Sequence, residues 1–262
     1  MYTGTLDRIQ NPTERAEGSA TVHGAQIDEA LDVFWTNRDK QSVQRNLHMK
    51  GFEALIRQEL INAGIPDNYI FTGKPYLPGY YRARKQWDLV VSYDGILVAA
   101  IEFKSQIGSV SKNINNRFEE ALGTATDTAA AQERNEAFGP IAPWMGYVFI
   151  LQEDEETTKK DRDTSAKFEV DPTYVGMSYE DRYQEMIRRF LLHKVYDAGW
   201  FLTTTYIDGV RTHKEPLSIA SFAVFAAALN GRVQQVQAFL EDRREKQTQS
   251  DEPSTGRTPE LF

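Results

Sequence analysis

The first helical signal lies in residues 25–38 (AQIDEALDVFWTNR), where Ile27, Leu31, Phe34 and Trp35 recur at a spacing that puts them on one side of a helix. Residues 47–63 repeat the pattern with Phe52, Leu55, Ile56 and Leu60, and Gly64 and Pro66 then supply a C-cap and a stop. Residues 68–81 are rich in Gly, Pro and Tyr and predict a loop with short extended pieces. The periodicity then changes. Leu89, Val90 and Val91, and after them Ile96 through Ile101, form unbroken apolar runs, as strands covered on both faces require. Asp94-Gly95 between them is a turn signal.

Further along, residues 117–136 return to a helical pattern with Phe118, Ala121, Leu122 and Ala125 in phase. The run WMGYVFIL (144–151) predicts a central strand, so the intervening helix can serve as a crossover. Residues 152–165 carry acids and bases without periodicity and predict a solvated loop. Residues 178–197 predict a helix opened by Ser178, with Asp181 three residues on. A strand over 200–206 and a long, largely apolar helix over 218–241 complete an α/β pattern. The organisation expected is a polar N-terminal arm over 1–24, one folded domain over 25–245 and a flexible tail over 246–262. No internal repeat is found.

Size and composition bound the function. A chain of 262 residues and 29.9 kDa buries a substantial core, and 40% apolar with 26% charged residues is ordinary for a globular protein. The absence of cysteine excludes disulfides and thiolate metal sites and fits a reducing cytoplasm, the location expected here. The first residues hold no apolar core, so no secretory signal and no membrane association are expected. The net charge of −8 argues at first against a nucleic-acid partner. Its distribution reverses that. Arg82, Arg84 and Lys85 lie in an acid-free stretch over 80–87, and Lys104, Lys112 and Arg117 in a second over 104–117, both flanking the strand pair.

The strand pair also carries chemistry. Hydrolysing a phosphodiester needs an activated water, neutralisation of charge at phosphorus and help for the leaving oxygen. Two carboxylates sharing Mg²⁺ provide the first two, because Mg²⁺ takes hard oxygen ligands and keeps several waters. A neighbouring lysine orients or deprotonates the water and stabilises developing charge. Asp88, Glu102 and Lys104 are the residues that fit, with the two carboxylates as metal ligands. Glu102 and Lys104, two apart on a strand, share a face.

Whether Asp88 reaches that face depends on the turn. A two-residue Asp94-Gly95 turn pairs Asp88 with Ile101 and sends Glu102 to the other side. A three-residue loop of Tyr93, Asp94 and Gly95, with Gly95 left-handed, sets Asp88 opposite Ala100 and diagonal to Glu102 on the shared face. An odd loop or a bulge is therefore required. The competing reading, a surface salt bridge of Glu102 with Lys104 at a sheet edge, accounts poorly for apolar runs that demand burial where charge is costly.

The run AAIEFKSQIGSVSKNINNRFEEALGTATD, with HMKGFEALI before it and SYEDRYQEMIRRFLLHKVYDAGW after it, resembles the XhoI family of type II restriction endonucleases. The likeness covers about residues 25–240. It implies a restriction-endonuclease-like α/β fold of the PD-(D/E)xK class, with a central mixed β-sheet flanked by helices. It further implies a homodimer, Mg²⁺ dependence and cleavage of double-stranded DNA within CTCGAG to leave 5′ overhangs. A DNA methyltransferase would act alongside without a stable complex. By motif position Asp88, Glu102 and Lys104 take the catalytic roles. The proline of the class motif is absent, since Trp87 precedes Asp88. Glu53 is a fourth catalytic candidate, because nucleases of this fold often place a helix glutamate beside the metal. The alternative for it is an i,i+4 pair with Arg57.

Asn and Gln read adenine and Arg or Lys read guanine, so Gln106, Ser109, Ser111, Lys112, Asn113, Asn115, Asn116 and Arg117 are candidates for base or backbone contacts in a polar loop. About half of them are expected to cap the next helix or touch only phosphate. Arg82, Arg84 and Lys85 are expected on phosphates, and Tyr80 and Tyr81 in packing. His23, His48, His193 and His213 lack metal spacing. No nucleotide-binding G-x-x-x-x-G-K-[ST] occurs. Two other readings remain open: a structure-specific repair or recombination nuclease on the same fold, and a catalytically inactive DNA-binding protein.

Overall fold

The computed structural model describes residues 12–38, 47–160 and 166–251, with the side chains of 12–22 and 249–251 left aside. Helix α1 (Pro12–Arg38) leads to a short 3₁₀ turn (Leu47–Met49) and α2 (Lys50–Asn62). Strands β1 (Ile70–Thr72), β2 (Tyr76–Pro78) and β3 (Arg84–Gln86) follow, then β4 (Leu89–Tyr93), β5 (Ile96–Gln106) and α3 (Val110–Asn135). The chain continues through β6 (Met145–Gln152), α4 (Glu155–Thr158), α5 (Tyr179–Leu192), β7 (Ala198–Ile207), β8 (Val210–Lys214) and α6 (Phe222–Asp251). Six strands form one sheet in the order β1-β4-β5-β6-β7-β8, and β2 with β3 forms a separate hairpin. The pairs β5–β6 and β6–β7 are parallel and the outer pairs antiparallel. This is the mixed sheet flanked by helices that the sequence leads one to expect.

Two apolar clusters cover the two faces of the sheet. On one face Leu31, Phe34, Phe52, Ile56, Phe225 and Val233 from α1, α2 and α6 meet Leu89, Val91, Ile101 and Trp200. On the other, Ile114, Ala121, Tyr183 and Phe190 from α3 and α5 meet Val90, Ala100, Tyr147 and Phe149. Every residue of β5 from Ile96 to Phe103 is buried, which is why Ile96 through Ile101 reads as an unbroken apolar run.

Several boundaries move. Helix α1 starts at Pro12 rather than near residue 25, and α6 runs on to Asp251, past the start of the expected tail. Residues 1–11 and 252–262 lie outside the described residues. Helix α5 has the expected capping box of Ser178 with Asp181 but stops at Leu192, where Lys194 turns left-handed at φ 56°. The solvated loop after β6 holds the short α4, capped by Asp154; its residues 161–165 are not described. Gly64, at φ +98°, ends α2 where the spacing places it.

The largest correction concerns 105–117. This is not a polar loop: Gly108 and Ser109 turn the chain through left-handed conformations, and α3 begins at Val110. Val110 and Ile114 are buried one helical turn apart, so the polar residues between them are the outer face of the helix.

The β4–β5 turn is likewise not a three-residue loop. Asp94 and Gly95, at φ 50° and 76°, form a two-residue turn with both central residues left-handed. Tyr93 pairs with Ile96 and Ser92 with Leu97, and the register then shifts: Val91 pairs with Ala99, Val90 with Ala100 and Leu89 with Ile101. Val98 is the extra residue of a β-bulge. Arg232 of α6, itself buried, donates from Nε to the Val98 carbonyl at 2.9 Å and from Nη2 to those of Leu97 at 3.1 Å and Ala142 at 2.8 Å. It thereby gives hydrogen-bond partners to the carbonyl of the bulged residue and to two carbonyls near it.

Candidate active site

The bulge sets the register that places Leu89, the first residue of β4, beside Ile101. Asp88 lies at a bend just before β4, and Glu102 follows Ile101 on β5. Asp88 Oδ2 accepts a hydrogen bond from the Phe103 amide at 2.8 Å, which fixes the carboxylate across the gap between the strands. Burial, and then the charge of Glu102, push its pKa up to about 6.

Glu102 is buried, with its side chain 4% exposed, and two ammonium groups hold it. Lys104 Nζ stands 2.7 Å from Oε1. Lys85 Nζ lies 3.2 Å from Oε1 and 3.1 Å from Oε2, donates also to the Gln86 carbonyl, and sits over the Trp87 ring at 5.6 Å. Burial pulls the pKa of Lys104 down, but the charge and hydrogen bond of Glu102, with Glu120 and Asp88 behind it, raise it overall, so the group is an ammonium. Beneath them Tyr147, the β6 partner of Glu102, is fully buried; burial and then the Glu102 charge raise its phenol, which keeps it neutral.

Glu53 approaches from α2. It lines, with Met49, Lys50, Gly73, Lys74, Asp88 and Phe103, a cleft of about 210 Å³. Its partner is Lys50 at 2.6 Å, while Arg57 pairs with Asp67 instead. The structure thus brings Glu53 into the same cleft as Asp88 and leaves the alternative i,i+4 pair unmade.

The candidates for DNA contact separate into two groups. Arg82 pairs with Asp127, and Gln106 is buried, donating to the Gly108 carbonyl and accepting from Arg117. Arg117 also binds Glu120 and the Ser105 carbonyl, Ser111 binds Glu156, Ser109 turns the chain ahead of α3, and Asn113 reaches back to the Ser109 carbonyl. Arg82 is thus tied to the middle of α3, and the others hold its start in place. Lys112, Asn115 and Asn116 are exposed on its outer face, and the Arg84 guanidinium lies 4.2 Å over the Tyr76 ring.

Lys85 is the site residue whose role sequence reasoning missed: the charge cluster 82–85 marks it, but nothing in the spacing marks which of its three cations turns inward. Glu120, 3.6 Å from Lys104, was missed as well. Among the described residues no three His, Asp or Glu are grouped to hold a metal. The donor set is two hard carboxylates, and the Coulombic cost that each places on the other is one a cation relieves. That set suits an ion that draws most of its ligands from water, as Mg²⁺ does.

Comparison with known proteins follows the same line. Residues 36–213 match the model of a family described as restriction endonuclease XhoI. The chain is 35% identical over 186 residues to the type II restriction enzyme BstVI of Geobacillus stearothermophilus, covering 68% of this chain and 83% of that protein. It is 37% identical over 196 residues to the type II restriction enzyme XhoI of Xanthomonas vasicola, covering 73% and 71%. With the type II restriction enzyme AbrI of Azospirillum brasilense it shares 38% identity over 175 residues, 57% of this chain and 78% of that protein. No solved structure matches. The family match spans the strand pair, the β2–β3 hairpin and α3.

Proposed function

The chain belongs to the XhoI restriction endonuclease family, and from that premise we propose that it is a Mg²⁺-dependent type II enzyme hydrolysing phosphodiester bonds of double-stranded DNA at a fixed sequence. The observation that carries this reading is the convergence of Asp88, Glu102, Lys104 and Lys85 at the bulged strand pair. Asp88 and Glu102 would hold the ion. When bound, Mg²⁺ supplies Lewis-acid charge at the scissile phosphate and lowers the pKa of water.

The chain's own groups supply the rest. Lys104, kept positive by Glu102, donates toward the attacking water or the phosphate oxygens and opposes the negative charge that builds there. Lys85 holds the Glu102 carboxylate from the hairpin side and adds positive charge to the centre. Glu53, at the mouth of the cleft, orients water from the α2 side. The exposed Lys112, Asn115 and Asn116 face the duplex, while Arg117 and Gln106 hold the helix that carries them.

The target proposed is CTCGAG, cut to leave 5′ overhangs by a homodimer, since a palindrome presents the same half-site twice. A cytoplasmic location, with a methyltransferase acting separately, completes the reading. Among the described residues no helix is long and apolar enough to cross a membrane.

The test is incubation of plasmid with Mg²⁺ or with chelator. Discrete fragments with Mg²⁺ alone are expected, and Asp88→Ala, Glu102→Ala and Lys104→Ala each should stop cutting while the protein still binds DNA. Cleavage confined to flaps or junctions favours a repair nuclease. Intact plasmid with every divalent ion overturns the enzymatic reading.

A further inference from the structure

The β2–β3 hairpin does more than deliver Lys85. Its tip carries two adjacent exposed aromatic side chains, Tyr80 at 46% and Tyr81 at 75% exposure, set edge to face with centroids 5.1 Å apart. Such exposure departs from the expectation that they serve in packing. The tip is held in place. Asp127, a buried residue of α3, accepts from the Tyr80 amide at 2.9 Å and the Tyr81 amide at 2.7 Å through Oδ1, and from Arg82 Nε at 2.7 Å through Oδ2. Arg82 Nη2 continues to the Gly123 carbonyl at 3.1 Å. A Cβ at Gly79 would run into the Asp127 carboxylate, so the chain closes over that group only with glycine there.

At the other end of the same hairpin, Lys85 touches Glu102. A carboxylate on one helix therefore fixes the tip, and a carboxylate of the catalytic strand fixes the stem. The segment 79–87 contains Arg82, Arg84 and Lys85 and no acid, in a chain of net charge −8. Lys85 lies four positions after Tyr81, at most about 13 Å of extended chain, which is close to the roughly 12 Å width of a DNA major groove.

We propose that this tip is a DNA-contacting element: Tyr80 and Tyr81 lie against base or sugar edges in the groove beside the cut, Arg84 lies on the flanking phosphates, and Asp127 is the residue that positions them. The inference rests on reading the Asp88–Glu102 centre as a nuclease. It also adds two DNA-contacting side chains to those that charge and amide composition mark in the sequence. Aromatic contact of this kind tolerates Phe and loses to Ala.

The experiment pairs fluorescence anisotropy in metal-free buffer, using a labelled duplex centred on CTCGAG, with cleavage kinetics in Mg²⁺. Tyr80→Ala/Tyr81→Ala should raise Kd and KM about tenfold, with kcat within about threefold of the unmodified protein. Tyr80→Phe/Tyr81→Phe should restore both. Asp127→Asn should raise Kd alone and add nothing further in the tyrosine-to-alanine background, a non-additivity that general destabilisation would not produce. An unchanged Kd in the double alanine variant overturns the proposal. So does a loss of dimer mass in sedimentation with Kd unchanged, which assigns the tip to a second copy of the chain. Failure of the unmodified protein to cut speaks against the nuclease reading alone, because anisotropy decides the tip without cleavage.

Discussion

The segments 79–87 and 104–117 have nearly the same sequence character, basic, polar and free of acid, yet they put their charge to different uses. In 79–87 the cations divide: Lys85 turns inward to Glu102, Arg82 closes over Asp127, and Arg84 stays outside. In 104–117 Lys104 joins the centre, Arg117 is absorbed by Glu120, Gln106 and the Ser105 carbonyl, and Lys112 is exposed. A run of positive residues therefore says that anions are near. Whether those anions are DNA phosphates or the protein's own carboxylates is decided by burial, since a buried carboxylate needs its partners whether or not DNA is bound.

The sharpest way to break this contrast is Lys85→Ala. If the inward lysine serves the centre, cutting should fall by about 10²-fold or more while duplex affinity changes little. Single-turnover cleavage with saturating enzyme measures it. A full rate would return Lys85 to the ordinary phosphate contacts.

Next in size is Asp127→Asn. The pKa of Asp127 lies below its usual value: burial raises it, but the Arg82 guanidinium and the amides of Tyr81 and Tyr80 outweigh that. A depressed folded-state value means that this contribution is complete above the unfolded pKa of about 3.9 and is lost as pH falls through the folded one. Thermal unfolding at pH 7 should show a loss of about 1.5–3 kcal/mol in the Asn variant. The gap between variant and unmodified protein should close as pH drops below 4. A gap that persists in acid would mean the carboxylate's charge does not hold the tip.

Arg117→Ala should cost about 1 kcal/mol of stability and leave affinity for the duplex almost unchanged, as expected of a cation used inside the protein. The exposed Lys112→Ala should do the reverse. Stability should hold while the slope of log affinity against log salt falls by about one. Exchanged outcomes for these two would invert the assignment of the second segment.

What the sequence discloses and what it hides follow from periodicity. The strand pair is legible because burial on both faces makes apolar runs, and Glu102 and Lys104 are legible because i and i+2 share a face. The bulge is not. In ILVAAI every position is buried, so no alternation betrays that Val98 is the extra residue, and register is readable only where one face is polar. Parity demanded some irregularity, and the structure supplies it at Val98 with Arg232 behind it, not in the turn. The start of α3 was detectable from Val110 and Ile114, four apart, but five polar residues around them conceal the stripe. Asp127 and Arg82 are 45 residues apart, and no local pattern joins a helix carboxylate to the hairpin tip it holds.

Sequencing the ends of plasmid DNA incubated with the protein and Mg²⁺ tests the central claim most directly. If the bulged strand pair is the cutting centre of a type II enzyme, every end should map to one palindrome with a 5′ overhang, and Glu102→Ala should produce none. Ends scattered without a common sequence, or the same ends from Glu102→Ala, would contradict it.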